Sequence, residues 1–155
     1  MTECQDYSLA YWNEIVAVVW RHETTVDAVQ CLQSAVADLA QAHPKGIDML
    51  TVIAERAPLP SSVARKALAD LLSEGSAFIR CSAVILEGSG FRAATVRSVV
   101  TGLTMMSKHD FPHRICDVEG AAQLYAQVLP SVPGRSLDAD TLRTAINELR
   151  RQMLP

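Results

Sequence analysis

Apolar residues in this chain follow two rhythms: short unbroken or alternating runs, and longer stretches with spacings of three and four. Tyr7 to Trp12 is aromatic and partly alternating, Asn13-Glu14 interrupts it, and Ile15 to Trp20 is apolar throughout. That pattern predicts a hairpin of one peripheral and one central strand. Thr24-Thr25 then supplies a helix cap, and Val26, Val29, Leu32, Val36 and Leu39 recur at helical spacing until His43-Pro44-Lys45-Gly46. Ile47 to Ile53 reads as the next strand, followed by the stiff turn Ala57-Pro58-Leu59-Pro60. Ser61-Ser62 opens a helix whose apolar stripe is Val63, Ala67, Leu68, Leu71 and Leu72. Cys81 to Leu86 is a further strand, and Phe91 onward a helix carrying Val96, Val99, Val100, Leu103 and Met106. Gly102 and several threonines weaken that helix, so tertiary packing must hold it. Phe111 to Cys116 reads as an edge strand because Pro112 lies near its start. Ala121, Leu124, Tyr125 and Val128 mark a last helix of the body.

The order ββαβαβαβα predicts an α/β domain with a mainly parallel five-stranded sheet. Crossovers between parallel strands are right-handed, so strands side by side in chain order place the helices on one face. The central strands nevertheless lack a polar side, and strands with one wet face should alternate. Something must cover the second face. A candidate follows the linker 131–136: Leu142, Ile146, Leu149 and Met153 form a narrow apolar seam on a C-terminal helix over 137–155. Three destinations are open to it: its own sheet, a second copy in a homodimer, or a partner protein.

Composition narrows the function class. The 155 residues suit one domain, here 1–130, with 49% hydrophobic and 20% charged residues. A net charge of −3 argues against a binder of nucleic acid driven by phosphate neutralisation. No apolar run reaches the roughly 18 residues of a membrane span. The acidic start, Met1 to Asp6, is unlike a signal peptide, so a cytoplasmic location is expected. Cys4, Cys31, Cys81 and Cys116 are widely spaced and are expected as buried free thiols.

Two loops carry candidate chemistry. Ser61 and Ser62 are either a helix cap or a phosphorylation site, where a phosphate would meet the helix's positive end and Arg65 or Lys66 one turn on. Glu87-Gly88-Ser89-Gly90-Phe91-Arg92 joins a strand to a helix; it is either a tight turn or a nest for a small anionic or lipid-like ligand, with Arg92 adding positive charge. His22 and Glu23 share the strand carboxyl edge with Glu87, where ligands of open α/β sheets bind. No catalytic pair, metal-ligand spacing or cofactor fingerprint is present, so no catalytic residue, metal or cofactor is assigned.

The element order from Tyr7 to Leu129, with a serine pair opening the helix after the third strand, resembles the STAS domain. That is the fold of anti-sigma-factor antagonists and of sulfate-transporter tails. Bacterial antagonists carry Asp-Ser-Ser-Gly in this loop, and a partner kinase phosphorylates a serine there. Here the place reads Pro60-Ser61-Ser62-Val63, with the pair but not its flanking aspartate and glycine. The resemblance implies a non-enzymatic regulatory module docking a kinase, an anti-sigma factor or another signalling protein.

Overall fold

The computed structural model describes residues 2–3, 6–128 and 137–151. Cys4, the linker 131–136 and Met153 lie outside them. Strands β2 (Tyr7–Trp12) and β3 (Ile15–Trp20) form the expected hairpin, turned through Asn13 at φ 55°. An asparagine tolerates that left-handed conformation, which two-residue hairpins need. Helix α1 (Val26–Ala42) leads to β4 (Ile47–Ile53), α2 (Ser62–Gly75) to β5 (Ile79–Leu86), and α3 (Gly90–Met106) to β6 (His113–Cys116). Helices α4 (Val118–Val128) and α5 (Ala139–Arg151) close the chain. A two-residue strand β1 (Thr2–Glu3) pairs antiparallel with β2 and adds an edge that the hydrophobic pattern does not announce.

The six strands lie in chain order, antiparallel through β3 and parallel from β3 to β6. Each crossover therefore steps the same way, and α1, α2 and α3 pack on one face with Val16, Val18, Trp20 and Met49. The starts of α1 and α2 are capped where the sequence predicts: Thr25 Oγ1 accepts from the Ala28 N–H at 3.1 Å, and Ser61 Oγ from the Ala64 N–H at 3.2 Å.

The expectation that all body helices share one face fails for α4. Among the described residues no strand follows α4, so it is not a crossover and handedness does not bind it. It packs on the second face, where Ala121, Leu124 and Tyr125 are buried against Leu50, Val52, Cys81 and Ala83. Asp117 starts it, its Oδ1 accepting from the Gly120 N–H at 2.8 Å. Helix α5 completes the cover, capped by Asp138 through the Thr141 N–H. Its seam residues Leu142, Ile146 and Leu149 belong to the same apolar cluster as the sheet. Ser8 Oγ donates to the Leu149 carbonyl at 3.3 Å, and Arg150 pairs with Glu87. The described part of the seam is thus buried on its own sheet, in place of the homodimer contact held open above. With both faces covered, β3 is buried at all six positions.

Cys81 and Cys116 are free thiols, buried and half-buried, but Cys31 lies on the solvent side of α1. No helix among the described residues is long and apolar enough to cross a membrane.

Candidate functional site: the α2–α3 cleft and its rim

The two serines of the α2 loop have different surroundings. Ser61 is the N-cap, its Oγ occupied by the Ala64 N–H. Ser62 begins the helix and is exposed, and its hydroxyl has no hydrogen-bond partner among the described residues. Arg65 follows three positions later, on the same side of the helix. It is half-buried, and its Nε has no partner. Lys66 points elsewhere, to Asp70 at 2.7 Å. Leu59 and Val63 flank the pair as exposed apolar side chains, 45% and 63% accessible.

The loop 87–92 is built as a brace. Gly88 and Gly90 have φ of 88° and 80°, and a Cβ on Gly88 would come within 2.6 Å of Glu55 Cγ. Glycine therefore lets β5's exit pass close to the turn after β4. Ser89 is the N-cap residue of α3 but gives no side-chain cap bond. Arg92 reaches across: Nε donates to the Glu55 carbonyl at 3.0 Å, and Nη2 to the carbonyls of Arg56 and Ala57 at 2.9 and 3.0 Å. Three of its five N–H donors are thus engaged by backbone. Glu87 is drawn to Arg150 of α5. The six residues from Glu87 to Arg92 therefore join three segments together, and Arg92 is aimed at the Glu55–Ala57 turn. His22 and Glu23 are exposed in the loop after β3.

Beneath this rim lies a cleft that the motifs do not mark. Helix α3 buries only Leu103 of its seventeen residues, so it stands off the sheet. Val96, Val99, Val100 and Leu103 roof a space of about 80 Å³ whose floor includes Met49, Thr51, Ser82, Val84 and His113. The register explains the floor: Met49, Ser82 and His113 are lateral neighbours on β4, β5 and β6, as are Thr51 and Val84. Leu68, Leu71 and Leu72 of α2 form a wall, and Ala57 to Pro60 the rim.

Two polar side chains in this floor lack protein partners. Ser82 is 1% exposed and its Oγ is unbonded, as are both ring nitrogens of His113. Burial, and secondarily the nearby His109, push the His113 pKa down to about 4, so the ring is neutral at pH 7. His109 meets His113 edge-on at 5.6 Å, and its own Nδ1 is held by Ser107 Oγ at 2.6 Å. The signal for this site is a serine inside the otherwise apolar run from Cys81 to Leu86, two residues before Val84 on the same side.

A separate buried charge lies at the start of β4. Asp48 is fully buried, receives Arg80 Nη2 at 2.7 Å and the Cys81 thiol at 3.3 Å. Burial raises its pKa, against the opposing pull of Arg80. Together they fix the irregular β4–β5 register at Ile47/Asp48. Among the described residues no cluster of His, Cys, Asp or Glu is arranged to hold a metal ion. No protein-family model matches this chain, and no curated protein matches it.

Proposed function

We propose that this chain is a STAS-like regulatory module that docks a signalling protein at the N-terminal end of α2 and is switched by phosphorylation of Ser62. The contrast between the two serines carries this reading. Ser61 is needed by the helix, whereas Ser62 presents an unengaged hydroxyl to solvent with Arg65 one turn on. A phosphate there would add nearly two negative charges at the positive end of α2, within reach of the arginine. It would also interrupt the apolar pair Leu59 and Val63, on which a partner could seat. A small anion at Gly88–Arg92 draws less support, since Arg92 is turned to the carbonyls of 55–57.

The test is direct because trypsin releases both serines in one peptide, Ala57–Arg65. Mass spectrometry of the chain recovered from its own cells should find that peptide phosphorylated at Ser62. Affinity capture with Ser62→Asp and Ser62→Ala should then differ in at least one bound protein. An unphosphorylated peptide under all growth conditions, with identical captures, would sink the proposal.

A further inference from the structure

We propose that the cleft between α3, α2 and the sheet is a binding site for a small, neutral, largely apolar molecule with one hydroxyl or amide head, placed against Ser82 and His113. Its rim shares Leu59 and Pro60 with the Ser62 loop, but its existence does not depend on the switch.

Three observations select that chemistry. Among the described residues the lining is apolar apart from two threonines, Ser82 and His113, and includes no Asp, Glu, Lys or Arg. An anionic head would therefore lose its water without meeting a cation. A hydrocarbon alone would leave Ser82 Oγ and the two imidazole nitrogens unbonded in a dry site. A hydroxyl or amide both donates and accepts, as serine and a neutral imidazole require. Ligand sites commonly show this composition, an apolar lining with a few convergent polar groups.

Size sets a second limit. About 80 Å³ of free space is roughly half the ~150 Å³ of an apolar cavity that admits benzene. It therefore suits about three or four heavy atoms, and a ring enters only as the far part of α3 moves outward. The walls are suited to holding it. Arg92 and two prolines stiffen the rim and pin the first turn of α3, while the rest of that helix buries only Leu103. A helix required only for the core would be expected to close such a gap, because unfilled apolar space is destabilising.

Benzyl alcohol, toluene and benzoate share a ring and differ in the head, so they serve as probes. In ¹⁵N–¹H spectra, benzyl alcohol should shift the amides of Ser82, Val84, Val100 and Leu103, saturating at least fivefold below toluene. Benzoate should leave them unmoved at pH 7. Ser82→Ala removes an unbonded buried hydroxyl, so it should fold with a raised Tm and erase the alcohol's advantage. Val100→Phe, or Val96→Phe should the first fail to fold, should weaken benzyl alcohol at least tenfold. Shifts confined to other surfaces, benzoate binding as well as the alcohol, or undiminished binding to the filled-cleft variants would each overturn the proposal. So would the absence of binding by all three probes.

Discussion

Tyr125 and Met49 stand 76 positions apart, and the tyrosine hydroxyl donates a 2.7 Å hydrogen bond to the methionine carbonyl in the buried second face. The bond fixes α4 over the middle of β4, on the side that crossover handedness leaves bare. Burial of the phenol, which also raises its pKa, removes water as an alternative partner. Tyr125→Phe should keep the packing and lose the donor. Urea unfolding should show a loss of about 1–3 kcal/mol with an unchanged m value.

Leu142 is fully buried in the same face. Leu142→Ala should lower stability by about 2–5 kcal/mol, the range for large-to-small changes in a core. Light scattering should give the same mass for variant and parent. A mass that fell by half would place the seam between subunits instead.

The α2 serines should separate cleanly by stability. Ser61→Ala removes the acceptor for the Ala64 N–H and should cost about 1 kcal/mol. Ser62→Ala touches no hydrogen bond and should stay within about 0.5 kcal/mol of the parent. Equal losses in thermal unfolding would contradict the assignment of the cap.

Arg92→Ala should free the turn at 55–57 from α3. The three lost carbonyl contacts span an exposed to half-buried setting, so the expected cost is about 1–2 kcal/mol. Arg92→Lys should recover little, because an ammonium lacks the planar fork that meets carbonyls side by side. Calorimetry of the three proteins decides it.

Acid should weaken the fold through His113. Its folded pKa of about 4 lies below the ordinary 6.5, so between these values the unfolded chain binds the extra proton. Stability is therefore full above about pH 6.5 and declines as the pH falls toward 4. Asp48 acts with the opposite sign, since a raised carboxyl pKa favours the folded state as acid is added. The measurement is accordingly a difference: relative to His113→Gln, the parent should lose about 1–3 kcal/mol between pH 7 and pH 4, allowing for partial exposure of the ring. Parallel stability curves would show that the histidine does not titrate there.

Strands and helices were legible because their apolar periods differ so clearly. Ile15 to Trp20 has no polar position, while Val26 to Leu39 repeats every three or four. The need for a second cover was legible for the same reason, and the seam of α5 supplied it. The side chosen by α4 was not, because the rule that places crossover helices applies only when a strand follows. The cleft was hidden for another reason. Val96, Val99, Val100 and Leu103 look like an ordinary core stripe, and only the partial burial of the three valines in the fold shows how shallowly they sit. Ser61 and Ser62 are adjacent in sequence and similar in type, so only the hydrogen bond to Ala64 separates their roles.

The sheet narrows toward β6. Its central strands run six to eight residues, while β6 has four. An edge so short offers little ladder to an incoming chain, and Pro112 lies just before it with Arg114 exposed on it. That edge is thereby guarded against growing by strand addition into larger arrays. A partner of the proposed kind arriving on that side would have to read side chains on helices and turns, where a single added charge can alter the fit.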